Sequence, residues 1–184
     1  LQAAREAGAS YCDVRIGRYL NQALMTREDK VQDIVHGESS GVGIRVIVNG
    51  AWGFAATDDQ RSDAVAATVR QAAAIARANA RLREQPVILA PAPSLGEVRW
   101  ATPMQRNAMA VPLEEKLALL MDVNAAALGA GASFVSSQLF VINEQKYFAS
   151  SDGSYVDQDV HRIWLPFTVT AVDQASGKFR TRDG

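Results

Sequence analysis

The 184-residue chain has one cysteine, two histidines and no excess of charge of either sign. Each scarcity removes a class of function. The lone Cys12 excludes an internal disulfide and any site built from several thiolates. His36 and His161 lie far apart in strand-like sequence, so the histidine pair one helical turn apart that commonly holds a catalytic zinc is missing. Nineteen Lys and Arg against twenty Asp and Glu leave a net charge of -1 and a pI near 6.2. A clustered cationic face able to neutralise phosphates is therefore not expected, and neither is a nucleic-acid partner. No apolar run approaches a membrane span, so no membrane partner is expected either. A Gly-Lys-Ser/Thr phosphate loop and a G-x-S-x-G nucleophile elbow are both lacking, and Ser39-Ser40, Ser136-Ser137 and Ser150-Ser151 read as turn formers. Cys12 alternates with Val14 and Ile16, the pattern of a buried apolar thiol rather than an activated one. No catalytic, cofactor-binding or metal-ligating residue is assigned within the chain.

What is present is a globular balance, 48% hydrophobic and 21% charged. The stretch "GVGIRVIVNGAWGF", residues 41–54, could be a phosphate cradle or a piece of sheet. Gly41 and Gly43 lead into an alternating run (Val42, Ile44, Val46, Val48) rather than a helix, and Asn49-Gly50 is the signature of a two-residue hairpin. The sheet reading is adopted. Residues 57–84 then read as a long amphipathic helix, capped around Thr57, Asp58, Asp59 and Ser62, with a stripe at Val65, Val69, Ala72, Ile75 and Leu82. Pro86, Pro91, Pro93, Gly96 and Pro103 mark an extended connector without regular structure. A third helix is expected from Pro112 to Gly129.

The strands that follow repeat the first set. "ASYCDVRI" from Ala9 matches "ASFVSSQL" from Ala132, an offset of 132 − 9 = 123 residues; beyond a two-residue insertion the offset becomes 125, pairing Ile44 with Val169, Ile47 with Val172 and Phe54 with Phe179. The expected fold is α+β: two similar helix-plus-antiparallel-sheet units, residues 1–85 and 111–184, joined by a proline-rich connector at 86–110. The second unit is expected to be cut before its closing helix. Leu1 opens inside a helical pattern and "RTRDG" closes on a strand-like segment, so both ends are expected to be cuts in a longer polypeptide; no signal peptide is visible, and one preceding residue 1 stays open.

The run "ESSGVGIRVIVNGAWGFAATDD" (38–59), with "ASYCDVRIGR", "TREDKVQDIVHGESSG", "VPLEEKLALLMDVNAAA" and "FASSDGSYVDQDVHRIWLPFTVTAVD" in the same order, resembles the amino-terminal region of the TldD/PmbA family, more its TldD-like branch than the PmbA branch. Members were once described as modulators of DNA gyrase and are regarded as zinc metallopeptidases. The resemblance implies trimming or degradation of unfolded peptides by a cytoplasmic, two-subunit assembly. It also implies a zinc held by a His-Glu-x-x-x-His helix and a later cysteine. Neither His36, His161 nor Cys12 matches that motif, so the zinc is expected outside this chain. The chain then reads as the non-catalytic front of a peptidase subunit, forming chamber wall, substrate access or subunit contact. A peptide substrate and a second family subunit are the implied partners. The alternatives are a non-enzymatic PmbA-like partner subunit and, more weakly, a gyrase modulator. Arg45, Trp52 and Phe54 are the candidate contacts for substrate or partner, against the alternative that Trp52 and Phe54 simply pack across strands.

Overall fold

The computed structural model describes residues 1–184 throughout. In chain order the elements are α1 (Gln2–Glu6), β1 (Tyr11–Arg27), β2 (Lys30–Val48), β3 (Ala51–Thr57), α2 (Ser62–Ala80), β4 (Gly96–Ala101), α3 (Leu113–Gly129), β5 (Phe134–Ser150), β6 (Ser154–Trp164), β7 (Phe167–Asp173) and β8 (Lys178–Asp183). The fold is α+β, with eight strands in a mostly antiparallel sheet of order β3-β2-β1-β5-β6-β4; β7 pairs with β5, and β8 with β7. The glycine-rich stretch is sheet. Gly41 and Gly43 lie inside β2, and Asn49 (φ 50°) and Gly50 (φ 72°) turn the chain into β3, the positive-φ pair that a right-twisted two-residue hairpin requires.

The internal repeat is visible in the elements. β5 begins and ends 123 residues after β1 (134 − 11 and 150 − 27). Hydrogen bonds repeat with it. Ser151 N–H donates to the Cys12 carbonyl at 2.8 Å and Glu28 N–H to the Val135 carbonyl at 2.9 Å, each bond the other displaced by 123 residues with donor and acceptor halves exchanged. Ser10 N–H donates to the Ile47 carbonyl, and Ser133 N–H to that of Thr170, both at 2.8 Å. At this point the backbone keeps the 123 frame instead of the 125 frame expected for Ile47. β6 stops at Trp164 and β7 resumes at Phe167, around Pro166, which has no N–H to give to a ladder.

Two compact units emerge, each assembled from three stretches of chain: Leu1–Tyr19, Ser39–Ala101 and Glu144–Val160 form one, and Leu20–Glu38, Thr102–Asn143 and His161–Gly184 the other. In the first, Cys12, Val42, Ile44, Val46, Val48 and Ala55 from the strands bury against Val69, Ala72, Ala73 and Ala76 of α2. The helix sits unusually near the sheet. A Cβ on Gly53 would lie 2.0 Å from the Ala72 carbonyl oxygen and 2.7 Å from the Ala76 nitrogen, so only glycine fits. This closeness selects the alanine stripe and turns Ile75 outward, while Leu82 falls beyond the helix end; both had been expected on the buried face and both are exposed.

In the second unit, Leu24, Leu120, Leu139 and Val141 form the core, with Leu113, Leu117 and Leu165 packed against it. The buried stripe of α3 is Lys116, Leu120 and Asn124, spaced four apart. Asn124 donates to Thr26 Oγ1 (3.0 Å) and to the Glu28 carbonyl (2.9 Å), tying the helix to the end of β1.

The stretch expected to lack regular structure contains β4, which pairs in parallel with β6 from Gly96↔Ser154 to Ala101↔Asp159. The reason is local: Pro93 and Pro103 bracket a proline-free run, "GEVRWA", whose amides are all available to the ladder.

Candidate functional site

Alternation along β1 sends Cys12, Val14 and Ile16 toward the α2 side and Tyr11, Asp13 and Arg15 to the opposite face. β2 and β3 obey the same rule, so Arg45, Trp52 and Phe54 share that second face. They meet there. Arg45 Nε lies 3.1 and 3.0 Å from the two Asp13 carboxylate oxygens, and its Nη2 donates to Oδ2 at 2.6 Å. The Arg45 guanidinium stands over the Trp52 ring at 5.2 Å, and Tyr11 meets the same ring edge-on, 5.7 Å between centroids. Tyr11 also donates its hydroxyl to Asp13 Oδ2 at 3.1 Å. Phe54 is the register partner of Arg45 across the hairpin; it is 56% exposed, with its ring against Gly43.

Asp13 anchors this arrangement. Its side chain is 1% exposed, covered by the groups that bind it, with Arg15 Nε also 3.8 Å away. A buried carboxylate needs such partners, because an uncompensated charge in that position is strongly unfavourable. The electrostatic consequences follow. Burial, then the adjacent Asp13 charge, pushes the Tyr11 phenol up to about 12. Hydrogen bonding to Asp13 raises Arg45 above its ordinary value. Burial pushes the Cys12 thiol up, away from the thiolate that nucleophilic chemistry requires.

Arg15 links this cluster to a cleft of about 510 Å³ on the same unit, where its guanidinium lies 5.7 Å from the Phe148 ring centroid. Tyr19 donates its hydroxyl to the nearly buried Glu144, which Lys146 meets at 2.9 Å. The face thus offers an aromatic and guanidinium surface on which the Asp13 and Glu144 carboxylates are each paired with a cation, Arg45 and Lys146.

Of the candidate contacts, Arg45 and Trp52 touch one another and Phe54 stands beside them. Asp13, Tyr11 and Glu144 were not anticipated. For Asp13 and Tyr11 the signal was available in "YCDVR", where alternation alone puts both on the face of Arg45. No group of three or more His, Cys, Asp or Glu side chains lies close enough to hold a metal ion. His36 is exposed on β2, and His161 Nε2 sits 3.0 Å from the Asn143 amide nitrogen. The residues present do not fit a zinc site. No helix is long and apolar enough to cross a membrane.

Comparison with known proteins adds the lineage. Residues 12–76 match the family model described as PmbA/TldA metallopeptidase domain 1, and residues 108–184 the PmbA/TldA metallopeptidase central domain. A metalloprotease of Methanothermobacter thermautotrophicus is 26% identical over 95% of this chain, which covers 37% of that protein. A zinc metalloprotease TldD homolog of Saccharolobus solfataricus is 41% identical over a shorter stretch, 32% of this chain and 13% of its own length. Among solved structures, TldE from Thermococcus kodakarensis superposes with a TM-score of 0.73 at 16% identity, over 99% of this chain and 41% of that one. The chain thus spans well under half the length of the relatives it matches. Two successive family domains, recognised in order across most of its residues, establish that the chain belongs to the TldD/PmbA metallopeptidase family, of whose members it corresponds to the amino-terminal region.

Proposed function

We propose that this chain is the non-catalytic front of a TldD-like zinc metallopeptidase subunit of the cytoplasm that trims or degrades unfolded peptides. The face bearing Tyr11, Arg45, Trp52 and Phe54 contributes to the chamber wall or to substrate access. The observation that carries this reading is that face itself: a preorganised, partly exposed aromatic and guanidinium surface, turned away from α2, in a family named for metallopeptidases. Such surfaces hold extended peptides through stacking and apolar contact while leaving sequence choice loose. The zinc and the bond-breaking groups belong, on this reading, to a part of the longer protein outside these residues.

The test uses both this chain and the longer polypeptide that contains it. With zinc and a disordered peptide, the 184-residue chain should give no turnover, and the longer polypeptide should give chelator-sensitive cleavage. Trp52→Ala in the latter should raise KM for the peptide with little change in kcat. Chelator-sensitive cleavage by the short chain would overturn the assignment. The second reading, a PmbA-like partner subunit without catalysis of its own, is favoured by the likeness to TldE. It predicts no hydrolysis by the longer polypeptide alone, and stable heterodimer formation with a metal-binding family subunit.

A further inference from the structure

α3 turns a lysine toward the interior of the second unit. Lys116 is 4% exposed and belongs to the stripe that also buries Leu120 and Asn124. Its ammonium makes one hydrogen bond, to Gln22 Oε1 at 2.6 Å, and no carboxylate lies within 4.0 Å of it. An ammonium carries three donors, and a covered cation without an opposite charge is costly to keep. Burial accordingly lowers its proton affinity, with no neighbouring charge acting against that.

Lys116 also lines a cavity of about 430 Å³ contained in that unit. The walls are largely apolar, from Val111, Leu119, Leu139 and Ile163. Two acids stand at its margin, and neither serves the lysine. Glu115 is held by Arg106 through paired bonds of 2.6 and 2.7 Å, and Asp122 is exposed on α3. The cavity therefore combines one covered positive charge, lacking an anion, with hydrocarbon walls.

We propose that this cavity binds a small monocarboxylate with an apolar tail, its carboxylate on Lys116 and its tail against Leu139 and Ile163. Charge complementarity selects the occupant. One negative charge neutralises the one uncompensated cation, whereas a dianion such as phosphate brings a surplus charge past Glu115 and Asp122, and the other cation of the wall, Arg106, is already paired with Glu115. A neutral alcohol fills the walls and leaves the ammonium as it was. A free acid and the terminal residue of an apolar peptide share this chemistry, so the experiment separates them.

The test is titration calorimetry of the intact chain with octanoate and, in parallel, with N-acetyl-leucine, the stand-in for a peptide terminus; octanol is the uncharged control. Saturable binding of either acid is expected, at least tenfold tighter than octanol, as a charge-assisted hydrogen bond implies. Whichever acid binds more tightly identifies the source. Lys116→Met, which keeps the apolar stem, should weaken binding at least tenfold. Leu119→Trp, at a 48% exposed wall position, should block the cavity with the lysine intact and keeps the test valid if the first variant fails to fold. Absence of saturable binding of both acids, equal affinity for octanol, or unchanged binding in Leu119→Trp would overturn the proposal.

Discussion

Substituting Gly53 by alanine tests the packing argument directly. The added Cβ would sit 2.0 Å from the Ala72 carbonyl oxygen, 2.7 Å from the Ala76 nitrogen and 2.9 Å from the Ala76 methyl, where ordinary contact begins at 3.4 Å. Two of these neighbours are backbone, so no side-chain rotation relieves the clash. To clear the carbonyl, α2 must retreat by about 1.4 Å, and a gap of ~0.5–1 Å already forfeits a quarter to a half of the dispersion energy along a contact. Overpacked cores lose roughly 1–3 kcal/mol when neighbours can adjust, and the backbone clash places this case at about 3 kcal/mol. The stiffening of the unfolded chain by alanine returns about 0.4–1 kcal/mol, leaving a net loss of about 2 kcal/mol or more. Urea denaturation followed by circular dichroism measures it. Gly41→Ala is the internal control, since its Cβ would meet only the Thr57 carbonyl at 3.3 Å and should change stability by less than about 1 kcal/mol. A Gly53→Ala chain within about 0.5 kcal/mol of the parent would refute the close approach of α2.

Other expectations follow from the charged groups. Arg45→Met strands the Asp13 carboxylate with Arg15 and the Tyr11 hydroxyl. Because Arg45 is itself 38% exposed, the loss should be about 2 kcal/mol rather than the full cost of breaking a buried pair, and Asp13→Asn combined with Arg45→Met should cost less than the two single changes added together. Tyr11 is protonated in folded and unfolded chains alike below pH 10; between there and its folded value of about 12 the unfolded chain loses its proton first, so stability falls as pH rises through that window. Urea midpoints across that window should show the fall in the parent and a shallower one in Tyr11→Phe; equal slopes would contradict the Tyr11–Asp13 contact. Lys116 has its proton affinity lowered by burial, so its charge destabilises the fold at neutral pH and the penalty disappears as pH rises past the unfolded value. Lys116→Met should accordingly be the more stable chain at pH 7, by a margin that narrows in alkali, as read from the same denaturation curves.

Much of the sheet was legible because period-two alternation is unambiguous wherever one face is buried. Val42, Ile44, Val46 and Val48 are all 2% exposed or less, and Asn49-Gly50 fixes their hairpin. Read across the hairpin register, the same rule places Arg45, Trp52 and Phe54 on one face. Helix orientation was less legible. Ile75 outweighs alanine on any hydrophobicity scale, yet contact distance, set from the strand by Gly53, made Ala72, Ala73 and Ala76 the buried positions. β4 was hidden because the prolines on either side of Gly96–Ala101 dominate its composition, while its pairing partner lies more than fifty residues onward. Asp13 and Lys116 escaped notice for a common reason. A charged residue is read as solvated by default, and only three-dimensional neighbours reveal that these two are covered.

The three-piece make-up of the compact units bears on biosynthesis. The unit that contains α1 is finished by the segment Glu144–Val160, so a ribosome must deliver the chain through Val160 before that body can close. Until then β1, β2, β3 and α2 can associate, but the edge of β1 that pairs with β5 stays open. A gene split or a protease nick in the stretch between α2 and α3 would therefore release two unfinished bodies, each missing strands that only the other fragment carries.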